Sequence, residues 1–432
     1  MPNPSKKSAI TDCFKGLSLL TPQERLDRLV QGGFLNDVDG GYFLKTVSPD
    51  LLELFDHFIE NSIGGFTLPL GFAPYFRIDN KDYVIPMAVE ETSVIAAASK
   101  TAKWIRQHGH ITTASLGNEI VGQIQIARVQ NAESLSGAIE TNKNMLIELA
   151  HQHVLGSLVK RGGGIRDIHL RKIQRPDGDV MAVIHVHLDP CDAMGANLIT
   201  QACEYLAGPI HDLTGEDVSI CILSNLSMHK RVKVQIILPS IDRDLACKLE
   251  ELSLFAELDP YRAVTHNKGI MNGIDAVLIA TGNDWRAVEG GLHAFAAHNG
   301  SYKPLTRWTR VGAELIGEFD GPIMVGTVGG VTNLHPTARA CLRLLGITKS
   351  QELARIVAAV GLVQNLGAMM ALVNGGIMRG HMRLHIQNII LGTDATPDEK
   401  PLLKNKLKQK LKELGRLSNT DAQIILAEMR GV

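Results

Sequence analysis

Near Ile111 the chain changes texture. The runs I-T-T-A-S, V-G-Q-I-Q-I-A-R-V, V-M-A-V-I-H-V-H-L and V-K-V-Q-I-I-L alternate apolar with polar residues, the period of strands that bury one face. Helical stretches near 132–159 and 195–212 separate them. Helix-rich sequence lies on either side, so residues 112–223 are expected to form a small α+β domain inserted in a larger mixed domain made of 1–111 and 224–376. The expected fold class is therefore α+β.

Local signals fill in the larger domain. Thr21-Pro22-Gln23-Glu24 combines an N-cap, a proline at the first helical position and a glutamate three residues after the cap; Ser48-Pro49 opens a second helix, ended by Gly64-Gly65. F-T-L-P-L-G-F-A, Y-F-R-I and Y-V-I-P-M-A-V read as strands around a turn at Asp79-Asn80-Lys81-Asp82. The last strand runs into Glu90-Glu91-Thr92-Ser93 and an alanine-rich buried helix, whose N-terminus the two acids would favour on spacing alone. A helix at about 350–373 carries Gly361 and Gly367 for close packing, with Gln364 as its odd polar member. A glycine-rich joint, N-G-G-I-M-R-G-H-M, precedes a lysine-rich tail whose Leu403, Leu407, Leu411 and Leu414 keep helical spacing. Residues 377–432 are accordingly read as a small hinged helical flap.

The stretch 259–290 holds the chemistry. Lys268 stands among His266, Asn267, Gly269 and Asn272, and the apolar run Ala276–Ala280, bounded by turn residues, reads as a buried strand with Asp284 just beyond its end. Amides, glycines and few other charges make a polar pocket rather than a solvated face. A lysine beside a carboxylate stays cationic and stabilises negative charge developing on a carbonyl oxygen.

Composition narrows the partners. A formal net charge of −1 gives no electrostatic footprint for nucleic acid or a membrane surface. The six cysteines include no C-x-x-C pair, which fits reduced thiols and a cytosolic location, and no uninterrupted apolar run reaches the roughly 18 residues of a spanning helix. The G-x-G-x-x-G fingerprint is absent, so any nicotinamide dinucleotide is bound by a non-Rossmann fold. In the turn D-P-C-D-A-M-G-A-N-L-I-T, small residues at Gly195, Ala196 and Asn197 let a phosphate or ribose approach the N–H groups of a helix start. His381 and His385 are four apart but lack the H-E-x-x-H glutamate, and His185 and His187 read as a satisfied structural pair on one strand face. No metal is expected. His381, beside Gly380, suits proton delivery near neutrality.

Taken in order, E-N-S-I-G at 60–64, P-M-A-V-E-E at 86–91, D-A-M-G-A-N at 192–197, H-N-K-G-I-M-N-G at 266–273, G-N-D-W-R-A-V-E at 282–289, G-T-V-G-G at 326–330 and G-H-M at 380–382 resemble 3-hydroxy-3-methylglutaryl-coenzyme A (HMG-CoA) reductase of the soluble bacterial class II. The resemblance covers almost the whole chain. It implies reduction of the thioester to mevalonate and coenzyme A with two equivalents of NAD(P)H, a ferredoxin-like dinucleotide domain, and a homodimer with each active site at the subunit boundary. By motif, Glu91 is the general acid, with Glu90 as the alternative; Lys268 stabilises the oxyanion, Asp284 tunes the lysine, and His381 protonates the departing thiolate. Glu60, Ser93, Arg262 and Asn272 would line the acyl pocket, with Gln364 and Ala368 near coenzyme A. Asp192, Met194, Gly195, Ala196, Asn197 and Asn225 would line the dinucleotide site.

Two departures from the family pattern matter. Lys15 stands where an arginine is expected, and lysine lacks the bidentate fork. After Ala150 the run H-Q-H-V-L-G-S-L-V-K-R carries no acid to accept ribose hydroxyls, which favours NADPH over NADH. The rival readings are a non-redox acyl-coenzyme A enzyme and a catalytically silent binding protein.

Overall fold

The computed structural model describes residues 14–374, 386–387, 389–414 and 417–431; His381 and His385 lie outside them. The chain divides into two compact units, one ending at Pro69 and the other starting at Leu70.

Among its described residues the first unit has a 3-10 turn at Leu17–Leu19 and three α-helices, α1 (Pro22–Gln31), α2 (Asp37–Lys45) and α3 (Pro49–Phe58). The expected capping box closes α1, with Thr21 and Glu24 each satisfying the other's backbone N–H, and Ser48 caps α3. Arg25 is 4% exposed. Its buried charge is answered by Asp56 and by the carbonyls of Ser62 and Leu17, both at 3.0 Å.

The second unit opens with a hairpin, β1 (Leu70–Ile78) and β2 (Lys81–Ala88), closed by Asp79 and Asn80 at φ 49° and 64°. Two positive φ values in a two-residue loop match the right-handed twist of the strands. Then come α4 (Val94–His108), β3 (His110–Leu116), β4 (Ile120–Ile126), α5 (Ala132–His153), α6 (Gly156–Val159), β5 (Gly164–Gln174), β6 (Val180–Asp189), α7 (Ala196–Thr214) and β7 (Ile220–Ser224). The chain returns through β8 (Arg231–Leu238), α8 (Arg243–Leu258), α9 (Pro260–Ala280), α10 (Trp285–Ala297), β9 (Thr306–Val311) and β10 (Glu314–Pro322). It continues with α11 (Gly330–Leu334), α12 (Pro336–Leu345), α13 (Ser350–Val373), α14 (Glu399–Leu414) and α15 (Asn419–Arg430).

The strands form a six-stranded sheet, β2-β1-β3-β8-β10-β9, and a four-stranded sheet, β5-β6-β4-β7. The change of sheet falls between Leu116 and Ile120, a few residues after the texture change at Ile111, and the return falls between Ser224 and Arg231. Each sheet has its own buried cluster. Val232, Val234, Ile236 and Leu238 of β8 pack with Ile270, Ile274 and Val277 of α9 and Val357, Val360 and Val363 of α13. Ile124, Ile168, Ile184 and Val186 pack with Leu135 and Ile139 of α5 and Ile199 and Leu206 of α7. In the tail, Leu403 and Leu407 of α14 meet Ile425 and Leu426 of α15.

One expectation is corrected. Ala276–Ala280 is not a strand; it is the last part of α9, a helix of 21 residues, so Lys268 lies mid-helix rather than in a loop. A short apolar run between turn residues has the same signature in either state, and Asn267, Gly269 and Gly273 weaken the helical signal. Tertiary packing decides the matter. A Cβ on Gly273 would stand 2.9 Å from Cβ of Gln364, and one on Gly361 would stand 2.9 Å from Ile274, so α9 and α13 cross at a contact that requires glycine on both. By length and composition α13 is apolar enough to span a bilayer, yet most of it lies buried here.

Beside the crossing, Asn365 of α13 accepts from Trp308 Nε1 at 2.8 Å and Thr306 Oγ1 at 3.1 Å, and its Nδ2 lies 3.0 Å from His266 Nε2 on α9. Burial holds His266 down to about 4, with Arg262 adding to the effect, so the ring is neutral at neutral pH and accepts a hydrogen bond. Asn365→Leu is expected to destabilise the fold by about 1–3 kcal/mol for each polar group it orphans. Chemical denaturation checks this through a lowered midpoint; an unchanged midpoint would show that the network holds nothing.

Candidate active site

Helix α9 carries Lys268 on its exposed side while His266, Asn267, Ile270 and Met271 are buried. Asn267 pins that stretch, donating to the Lys303 carbonyl and accepting from Leu305 N–H, both at 2.9 Å. Lys268 Nζ donates to Glu91 Oε2 at 3.1 Å across the link between β2 and α4. The two side chains are 62% and 43% exposed. A pair so solvated contributes at most about 1 kcal/mol to folding. Its groups therefore remain available to a ligand. Of the two adjacent glutamates, it is Glu91 that meets the lysine.

Asp284 is placed differently. It is the N-cap of α10, accepting from Arg286 and Ala287 N–H and from Arg286 Nε at 3.2 Å. Asn283 N–H bonds Leu278 O near the end of α9, ten residues after Lys268, or roughly 15 Å along a helix axis. Among the described residues the ion-pair partner of Lys268 is Glu91. Two turns beyond Lys268 on the same face lies Asp275, which the sequence reading missed. Burial, and then Glu289, raise its carboxyl above the ordinary carboxylate value, and its Oδ1 is buried without a hydrogen-bond partner.

The other expected substrate residues are dispersed. Asn272 follows Lys268 by one turn, and half-buried Arg262 has its pKa lowered by desolvation, with no ion pair among the described residues. Ser93 stands at the N-cap position of α4 at φ 78° without a capping hydrogen bond, its hydroxyl buried and unpartnered. On α13, Gln364 is 5% exposed with Oε1 unpartnered, and Ala368 follows one turn later. Glu60 belongs to the first unit, exposed just past α3.

The expected dinucleotide turn is built as a cradle. Gly195 sits at φ 100°, where a Cβ would stand 2.4 Å from Ile120, and α7 starts there with no side-chain cap. Its first N–H groups are open to an anion. A Cβ on Gly326 would stand 2.5 Å from Met194 N, so the G-T-V-G-G loop lies directly against the turn. Asp192 is engaged locally, accepting from Ser350 N at 2.9 Å and Lys349 Nζ at 3.1 Å, while Asn225 is exposed past β7. A cavity of about 920 Å³ lined by Asn118, Arg161, Asp189, Asp192 and Lys349 adjoins it. Lys230 is buried near this turn, its amine lowered to about 8 by desolvation against the pull of Asp189 and Asp192. No spacing in the sequence marks Lys230 or Arg161 for this role.

Known proteins bear on this geometry. The model of the hydroxymethylglutaryl-coenzyme A reductase family matches residues 22–386. A 3-hydroxy-3-methylglutaryl-coenzyme A reductase of Archaeoglobus fulgidus is 41% identical over 91% of this chain and 90% of that one. A probable one of Borreliella burgdorferi is 34% identical over 81% of this chain and 80% of that one. The reductase of Streptococcus pneumoniae superposes with a TM-score of 0.73 at 36% identity, covering 96% of this chain and 99% of that one. A class II form of it, bound to NADPH in open conformations, gives 0.72 at 38% identity over 83% of this chain and 99% of that one.

Asp275 generates a prediction. Its native carboxyl keeps a proton that the unfolded chain has lost above the ordinary value of 3.8, so it makes stability fall as pH rises from there toward its raised native pKa. Asp275→Asn removes that slope. Urea midpoints at about pH 5 and pH 7 are expected to converge in the variant relative to the parent; an unaltered pH dependence would refute the assignment.

Proposed function

The chain belongs to the hydroxymethylglutaryl-coenzyme A reductase family, in its class II branch, and from that membership we propose which of its residues do the chemistry. It is an oxidoreductase that converts HMG-CoA to mevalonate and coenzyme A, and the observation that carries the residue assignment is the Lys268–Glu91 contact at 3.1 Å. The thioester carbonyl binds beside Lys268 Nζ, whose fixed charge stabilises the oxyanion as the carbonyl is reduced. Glu91 delivers the proton to that oxygen. NAD(P)H, when bound, supplies the reducing equivalents, two for each thioester taken to an alcohol. Between them the C–S bond breaks, leaving an aldehyde and a thiolate; His381 gives the thiolate its proton. Arg262, Asn272 and Ser93 receive the acyl chain, and Gln364 and Ala368 lie beside coenzyme A.

The cradle at Gly195 supports binding of the dinucleotide phosphates by the N–H groups of Ala196 and Asn197, within a small inserted domain of ferredoxin-like type. Its element order, β4-α5-β5-β6-α7-β7 with the one-turn α6 inserted after α5, and its strand order β5-β6-β4-β7 support that reading. Met194, Asp192 and Asn225 flank the cofactor. Arg161, on the rim of the adjoining cavity, faces the 2′-phosphate of NADPH. The separation of Asp284 from Lys268 within one chain supports a homodimer in which Asp284 reaches the active site from across the boundary. The α14–α15 pair, with a core of its own, serves as the flap that carries His381. The non-redox alternatives have no observation in their favour.

Loss of reduced-nicotinamide absorbance with HMG-CoA tests the activity. Lys268→Ala is expected to cut kcat by about 10²–10³-fold, the usual loss of one oxyanion donor. Near-normal turnover in a folded variant would reject its role. Arg161→Ala is expected to raise KM for NADPH while leaving that for NADH unchanged; equal changes would remove Arg161 from the phosphate site.

A further inference from the structure

The four-stranded sheet turns one face to α5 and α7 and the other away from them. Register fixes who shares that second face. Gln123 pairs with His185, which pairs with His169; Val121 pairs with His187, which pairs with Asp167. Ile120, Ile124, Ile168, Ile184 and Val186 occupy the opposite, helix-covered face.

On the second face, His169, His185 and His187 each bring one ring nitrogen within 4.8 Å of the other two. His229 adds a fourth ring, 4.8 Å from that of His187. His187 is 4% exposed, and its Nε2 is buried with no hydrogen-bond partner. Its Nδ1 stands 3.4 Å from Glu119 Oε2, and His169 Nδ1 stands 3.9 Å from Asp167 Oδ2. A carboxylate on the Nδ1 side of each ring has the placement of the second partner of a metal-bound histidine, and a small approach brings it to hydrogen-bond distance, with Nε2 left to the metal. His187 is therefore not satisfied at Nε2, which corrects the reading of His185 and His187 as a satisfied structural pair. Asp167 arrives from β5, whose register shifts at a bulge between Ile165 and Asp167 that spacing in the sequence does not reveal, and Glu119 arrives from the residue before β4.

We propose that His169, His185 and His187 bind a divalent transition metal of the zinc type on this face of the sheet, with Glu119 and Asp167 orienting the rings. Zinc–nitrogen bonds of about 2.0–2.1 Å require the three nitrogens to close by roughly 1 Å, a small side-chain adjustment. Two groups must yield. Gln123 Nε2 lies 3.1 Å and Arg171 Nη1 3.4 Å from His185 Nε2; the amide turns its oxygen inward, and the long arginine swings away. Lys143 stays on Asp167 at 2.7 Å, while Glu119 remains beside His187. Imidazole without thiolate suits zinc, nickel or copper rather than calcium or magnesium. The site is structural: His187 is two residues before Asp189, whose carboxylate binds Asn118 Nδ2 at 2.7 Å and Cys191 N at 2.9 Å, so a bound ion stiffens the strand that leads into the cofactor turn.

The test uses the full-length chain, freed of metal with a chelator and titrated with Zn²⁺ by calorimetry, and with Co²⁺ for its ligand-field absorption. One saturable site per chain is expected, with a raised Tm. His169→Ala and His185→Ala are each expected to weaken it by more than the roughly 10–100-fold that Glu119→Gln costs. His108→Ala, remote on α4, is expected to bind as the parent does. Turnover of the chelated parent separates this proposal from the catalytic one, since reduction of HMG-CoA is expected to persist without metal. Absence of saturable binding, or parental binding by His169→Ala and His185→Ala with an unchanged circular dichroism spectrum, would overturn the proposal.

Discussion

The crossing of α9 over α13 is the contact on which the site depends. Two glycines, Gly273 and Gly361, let the helices approach until each backbone meets the other's side chains. That proximity brings Asn365 into reach of His266, Thr306 and Trp308, all buried. With Asn267 pinned as well, α9 cannot rotate or slide without orphaning several polar groups at once. The position of Lys268 is a consequence of that lock.

The lock and the proposed reactive pair divide the work. The buried network is uncharged and shields His266 from protonation, whereas Lys268 and Glu91 are partly solvated and contribute little to the fold. A rigid, uncharged floor beneath an exposed ammonium is an arrangement in which charge is stabilised only when substrate excludes the water above it. The proposed cofactor turn follows the same plan: Gly195 and Gly326 admit close backbone approach, Asn283 holds Gly326 N at 2.8 Å, and the helix start stays uncapped.

Much of this was legible in the residues, and its failures have identifiable causes. Caps at Thr21 and Ser48, the hairpin at Asp79-Asn80 and the strand-to-helix turn at Asp192–Asn197 are local, and local signals survive folding. Glu91 and Lys268, 177 residues apart, were joined by family motif rather than by any spacing, and they do meet. Ala276–Ala280 was misread because a buried helix and a buried strand share a short apolar run, and the glycine contacts that decide between them are tertiary. Asp275 and Lys230 gave no signal, since their character comes from burial that only the assembled core imposes. The histidine face needed the register of three strands and one bulge.

A double-mutant cycle on kcat/KM for HMG-CoA reduction, combining Glu91→Gln with a substitution of Lys268 by methionine, addresses the central claim. If the ammonium and the carboxylate act on one carbonyl as a unit, the double variant will be little slower than the worse single variant. Fully additive losses would mean that the two groups act at separate places, and the account built on their contact would fail.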